Sequence, residues 1–255
     1  MKRVLTAIVL IPFVVYVVLW ANFWVFLAVL AAVACLCYRE YDAIAASYGF
    51  GAPGPLGYGA GLLLLTSIPQ PWLVLIAVTL IALALGMRSQ DLGHALPRAA
   101  LLLLGVVYAF GTWKCAALLR DRSPHWLMFG LLVNWAGDIG AYYSGRAFGR
   151  HRLAERVSPK KTWEGTAGSL AASALIAGGY LLRFVGGMSV VPVLVLTLAA
   201  NAAGQLGDLA ESAMKRGANV KDSGTLLPGH GGMLDRVDSS LFALPVIYIY
   251  LQFLA

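Results

Sequence analysis

From Val190 to Ser239 the chain reads VVPVLVLTLAANAAGQLGDLAESAMKRGANVKDSGTLLPGHGGMLDRVDS. Its first part carries no charged residue before Asp208. At about 20 residues it is long enough to cross a bilayer as a helix. The run is continuously apolar rather than alternating, which favours a helix over a barrel strand, and a helix satisfies its own backbone in lipid. The second part is the opposite. Between Asp208 and Ser239 lie five acidic residues (Asp208, Glu211, Asp222, Asp235, Asp238) and four basic ones (Lys215, Arg216, Lys221, Arg236), with His230 in a glycine-rich turn.

The rest of the 255-residue chain resembles the first part: 60% of it is hydrophobic, 12% is charged and the mean hydropathy is +0.76. Soluble domains carry roughly a quarter charged residues. We therefore expect an all-α, polytopic integral membrane protein with about nine transmembrane helices. The spans are read near 4–20, 22–38, 55–68, 71–87, 99–119, 125–144, 166–184, 190–209 and 240–254. The whole of 1–255 reads as a single transmembrane catalytic domain, with spans alone in 1–130 and the active site in 131–255. Cys35, Cys37 and Cys115 have no ligand spacing and read as packing residues.

The net charge of +7 has a topological explanation. With the N-terminus inside, fifteen Lys and Arg fall on cytoplasmic segments and three (Arg120, Arg122, Arg183) outside, with Lys114 snorkelling from within a span. This bias places loops 145–165 and 210–239 on the cytoplasmic face, where nucleotides are found; the membrane is expected to be a bacterial-type inner membrane. No aromatic-rich basic surface points to nucleic acid. Glu40 and Asp42 beside Arg39 read as a solvated cluster at the membrane edge.

Two further segments carry polar chemistry. Asp138 lies in or beside an apolar span, a costly placement that calls for a polar interior or a partner such as Arg146. Gly137, Gly140 and Gly145 near it serve equally for close helix packing. In Ser158-Pro-Lys-Lys-Thr-Trp-Glu-Gly165, the paired Lys160 and Lys161 with the hydroxyls of Ser158 and Thr162 suit a phosphate clamp, while membrane lipids with anionic heads are the alternative ligand.

If the 190–209 helix continues, Asp208, Glu211, Ser212 and Lys215 share one face at i, i+3, i+4 and i+7. Asp235, Asp238 and Ser239 repeat the pattern at the start of the last span. Carboxylates on two helices, without thiols or paired imidazoles, suit a hard cation such as Mg2+. Basic side chains and bare glycine backbone beside them form the apparatus of phosphoryl or nucleotidyl transfer. A wet loop of mutually paired charges is the competing account. No GxxxxGK[ST], GxGxxG or HExxH motif is present.

Ser212-Ala-Met-Lys215-Arg216, then Lys221-Asp222, then His230-Gly231-Gly232, then Asp235-Arg236-Val-Asp238 resembles the signature of the phosphatidate cytidylyltransferases, the CDP-diacylglycerol synthases. Asp138–Gly149 and Ser158–Gly165 resemble two upstream blocks of that family, so the likeness covers about 134–239. It implies a membrane enzyme that joins CTP and phosphatidic acid with Mg2+, and a homodimer. By this resemblance Asp208, Asp235 and Asp238 are the metal residues. Lys215, Arg216, Asp235, Arg236 and Asp238 are catalytic, and Ser158, Lys160, Lys161, Ser212, Lys221, His230, Gly231 and Gly232 bind substrate. His230 is read as structural or substrate-binding rather than as a base. Two rivals stay open: a related CTP-dependent lipid enzyme (ether-lipid cytidylyltransferase or polyprenol kinase) and a cation-coupled transporter.

Overall fold

A computed structural model of the chain describes residues 2–50, 54–66, 70–88, 91–226 and 231–253. Helices account for most of it: α1 (Lys2–Leu19), α2 (Phe23–Ala45), α3 (Pro55–Leu65), α4 (Pro71–Gly86), α5 (Ala95–Val106), α6 (Thr112–Arg122), α7 (Pro124–Phe148), α8 (Trp163–Ser173), α9 (Gly179–Phe184), α10 (Val190–Gly217) and α11 (Leu234–Phe253). Among the described residues, four helical stretches are long and apolar enough to cross a membrane, namely Phe23–Phe50, Leu92–Arg122, Trp163–Phe184 and Val190–Gly217. Three of them are composite: single π-helical turns at Ala46–Phe50, Val107–Gly111 and Ala174–Gly178 extend α2, join α5 to α6 and join α8 to α9. Ile8–Leu19, Pro55–Leu65 and Pro71–Gly86 are shorter apolar helices. At 1.5 Å per residue, α3 rises only about 16 Å.

The loop expected at 145–165 holds structure that the all-helical reading lacked. Strands β1 (Arg152–Ala154) and β2 (Ser158–Thr162) form an antiparallel hairpin in which Arg152 faces Thr162 and Ala154 faces Ser158. Outside a helix, backbone groups need other partners, and a hairpin supplies them locally. The Arg152 guanidinium adds a 2.7 Å hydrogen bond to the Pro159 carbonyl.

Two compact units make up the chain, each assembled from separated segments. The first comprises Met1–Asn22, Leu118–Ala213 and Val237–Ala255; the second comprises Phe23–Ala117 and Met214–Arg236. In the first, α7 and α8 lie close because Gly140 faces the Gly168 carbonyl with no room for a side chain between them. Asn201, 2% exposed, centres a polar network between these helices and α10. Its amide nitrogen donates to Ser169 Oγ (3.0 Å) and Ser173 Oγ (2.8 Å), and its oxygen accepts from Gln205 (2.7 Å).

In the second unit, the buried Tyr38 ring packs against Tyr58 (4.7 Å between centroids) and Phe110 (5.6 Å). Tyr41 donates to the Leu101 carbonyl at 2.9 Å. Lys114, read from the sequence as snorkelling from within a span, reaches the end of a neighbouring helix. Its ammonium donates to the Leu65 and Thr66 carbonyls (3.1 and 2.6 Å) and so closes the C-terminal end of α3, where unsatisfied carbonyls attract a cation.

Candidate active site

The first unit contains a cavity of about 390 Å³. Asp138, Tyr142 and Arg146 line it from the last turns of α7, Lys160 and Lys161 from β2, and Thr166 and Ser169 from α8. Gln205 and Asp208 of α10 and Ser239 of α11 complete the polar lining. Asp138, Lys160, Lys161 and Asp208, all singled out from the sequence, therefore share one space. Ser158 begins β2 outside this lining.

Local chemistry explains how the hairpin is held. Thr162 is the N-cap of α8, its Oγ1 accepting from the Gly165 amide at 3.1 Å. Glu164, in the first turn, accepts from the Arg150 amide (3.1 Å) and the His151 amide (3.3 Å) and lies 2.6 Å from His151 Nδ1. The clamp leaves Lys161 directed at α10, with its ammonium 2.7 Å from Asp208 Oδ2. Ser212 Oγ lies 3.4 Å from Asp208 Oδ1, as the i, i+4 spacing on a continuing helix requires, and α10 does continue to Gly217. Asp238, also of this unit, accepts from the Ser239 amide at 2.7 Å.

The remaining signature residues belong to the second unit. Lys215, 8% exposed, places its ammonium 2.5 Å from Asp235 Oδ1. Asp235 also accepts from the Ser223 amide (3.0 Å) and the Gly232 amide (2.7 Å). Burial pushes the Asp235 carboxyl up, but Lys215 and these amides outweigh it and hold it below the ordinary aspartate range. Gly231 has a φ of +80°, and a Cβ there would stand 2.5 Å from Asp235 Oδ2. A left-handed glycine is thus needed for the Asp235 contacts to form. Arg216, Lys221 and Arg236 are exposed, and Arg216 donates to the Val220 carbonyl at 3.3 Å. His230 lies outside the described residues.

Glu40 contradicts its reading as a solvated edge residue. It is 7% exposed and accepts from Ser223 Oγ (2.9 Å), the Met233 amide (2.9 Å) and the Leu234 amide (2.7 Å). The neighbouring charges Arg39 and Asp42 suggested a wet cluster. Only the apolar positions Ala34, Cys37, Tyr38 and Tyr41, all buried on the same helix, could have indicated an inward face. Gln205, Thr166 and Ser169 were likewise missed, because a lone polar residue in an apolar span carries no motif.

Among the described residues, no group of three or more His, Cys, Asp and Glu side chains is gathered to hold a metal ion. The chemistry of the cavity nevertheless fits a hard cation. Its donors are the carboxylates of Asp138 and Asp208 and the hydroxyls of Thr166, Ser169 and Ser239, with no thiol or imidazole among them.

Residues 1–254 match the family model described as "Cytidylyltransferase family". The chain is 42% identical over 166 residues to a protein named phosphatidate cytidylyltransferase from Haemophilus influenzae, covering 58% of this chain and 57% of that one. It is 37% identical over 198 residues to a protein of the same name from Staphylococcus aureus, covering 74% and 76%. A third, from Staphylococcus saprophyticus, is 38% identical over 183 residues, covering 69% and 68%.

Proposed function

Because this chain belongs to the cytidylyltransferase family, we propose that it transfers the cytidylyl group of CTP to phosphatidic acid, releasing pyrophosphate and forming CDP-diacylglycerol. The observation that carries the reading is the cavity of the first unit. It lines one space with Arg146, Lys160 and Lys161 beside Asp138 and Asp208, an arrangement suited to holding polyanions. The names of the relatives supply the substrates.

The reaction needs little proton chemistry. A phosphate monoester has its second pKa near 6, so at neutral pH the lipid phosphate is already a dianionic nucleophile. Its oxygen attacks the α-phosphorus of CTP in line, a new P–O bond forms, and the α–β bridging P–O bond breaks to release pyrophosphate. The chain's task is to bring two polyanions together and spread their charge. Lys160, Lys161 and Arg146 bind phosphate oxygens there, and Ser158, Ser212, Lys221, His230, Gly231 and Gly232 keep the substrate-binding roles proposed from the sequence. Lys215, Arg216, Asp235, Arg236 and Asp238 are assigned to catalysis on the same ground.

We assign Asp208, Asp235 and Asp238 to Mg2+, with Asp138 lining the same cavity as Asp208. When bound, the ion supplies charge neutralisation at the transferring and leaving phosphates. In this reading the chain spans the bacterial-type inner membrane about nine times, as one catalytic domain with the N-terminus and the cavity mouth on the cytoplasmic side. A homodimer is part of the proposal, and nucleic acid is not among its partners.

The test uses purified enzyme, phosphatidic acid and CTP labelled separately at the α- and γ-phosphates. Transfer of α-label into lipid with release of pyrophosphate is expected. Transfer of γ-label would instead establish a lipid kinase. Consumption of phosphatidic acid in detergent, without any membrane gradient, sets the transporter reading aside.

A further inference from the structure

The carboxylate of Glu40 lies near the end of α2, outside the region whose sequence resembles a cytidylyltransferase signature. Yet, among the described residues, the three hydrogen-bond donors that contact it belong to the signature segment. Ser223 Oγ, the Met233 amide and the Leu234 amide converge on its two oxygens at 2.7–2.9 Å. Met233 and Leu234 stand at the start of α11, where helical amides have no partner within the helix. Glu40 therefore caps α11 from a position 194 residues upstream of Leu234.

The surrounding backbone makes room for it. A Cβ at Gly224 would lie 2.7 Å from Glu40 Oε1, and one at Gly232 would collide with Glu40 Oε2 and Ser223 Oγ. Two signature glycines thus stand where a protein carboxylate enters. Ser223 links this anchor to the next residue of interest. Its hydroxyl donates to Glu40 while its amide donates to Asp235, whose other partners are the Gly232 amide and Lys215. One side chain on α2 therefore fixes both ends of the segment that orients the Lys215–Asp235 pair.

We propose that Glu40 is a positioning residue for the transfer reaction, acting on Lys215 and Asp235 through Ser223 and the first amides of α11 without touching substrate. Its catalytic consequence rests on the cytidylyl-transfer reading; its anchoring role does not. Glutamine at position 40 keeps the length of the side chain but replaces one acceptor oxygen with an NH2 donor, which cannot accept from the Met233 or Leu234 amide it would then face.

The experiment compares wild type, Glu40→Gln and Ser223→Ala in detergent by amide hydrogen exchange and by steady-state kinetics. In Glu40→Gln, exchange at Met233 and Leu234 should rise about tenfold or more, while protection elsewhere in α2 and α10 stays as in wild type. The same variant should lose about tenfold or more in kcat, with KM for CTP changed less than about threefold. Ser223→Ala, which removes one of the three donors, should show a smaller change of the same kind. Unchanged exchange at Met233 and Leu234 would overturn the proposal, as would normal kcat despite faster exchange. General loss of protection across α2 and α10 would make Glu40 a folding residue and overturn it as well. The exchange result stands whether or not the wild type transfers cytidylyl groups, so failure of the anchor and failure of the proposed activity are told apart.

Discussion

The Lys161 ammonium sits 2.7 Å from the Asp208 carboxylate, so the hairpin and α10 meet inside one cavity as a charge pair. Both side chains are partly exposed, at 24% and 32%, and such pairs contribute about 1 kcal/mol or less to stability. Lys161→Ala should therefore leave the melting temperature nearly unchanged. Loss of a phosphate-binding cation should lower kcat/KM for CTP by about tenfold to a hundredfold. Thermal melts and initial rates on the same preparation separate the two effects, and a large drop in melting temperature would contradict this division.

Asp235→Asn should abolish turnover and also weaken the second unit. The substitution takes an anion from beside the buried Lys215 ammonium; breaking buried pairs costs about 3–5 kcal/mol. The protein should still insert, with a lowered melting temperature. Near-normal activity at saturating Mg2+ would remove Asp235 from the assigned metal residues.

Acid should erase that stability difference. The folded carboxyl of Asp235 is held below its ordinary value of 3.8, so its contribution is complete above that value. It is lost as the pH falls through the folded value, once the folded carboxyl also takes a proton. The gap in melting temperature between wild type and Asp235→Asn should be flat from about pH 8 to pH 5 and close progressively below about pH 4. A gap that persists unchanged into strong acid would contradict the ion-pair account.

Gly140→Val inserts a branched side chain where α7 meets the Gly168 carbonyl. Overpacking of this kind costs about 1–3 kcal/mol, and it also separates the helices that carry Asp138 and Ser169 to the cavity. A lower melting temperature and weaker CTP binding should appear together. Normal values of both would mean that the helices can shift without moving the cavity.

Thr162→Ala removes the N-cap of α8, worth about 1 kcal/mol, while Thr162→Ser keeps the hydroxyl. Serine should retain wild-type stability and activity, and alanine should lose part of both, because the residue after Lys161 then lacks its anchor. Equal loss in the two variants would trace the effect to the missing methyl group instead.

Much of this protein is legible without coordinates. Continuous apolar runs such as Val190–Gly207 admit one solution in lipid, the helix, because no solvent exists there to satisfy an open backbone. The i, i+4 relation of Asp208 and Ser212 follows from helical geometry alone, as does the candidacy of Lys160 and Lys161 from their position in a charged segment of an apolar chain. What the sequence could not settle is which distant groups meet. The Ser158–Thr162 strand, the cavity that joins Asp138 to Asp208, and the turn of Glu40 towards Ser223 and Leu234 all depend on packing between segments far apart in the chain. A carboxylate beside Arg39 and Asp42 has the same local signature whether it faces water or three amide and hydroxyl donors. The difference lies in the cost of burying a charge, which is offset only when tertiary structure brings those donors to it.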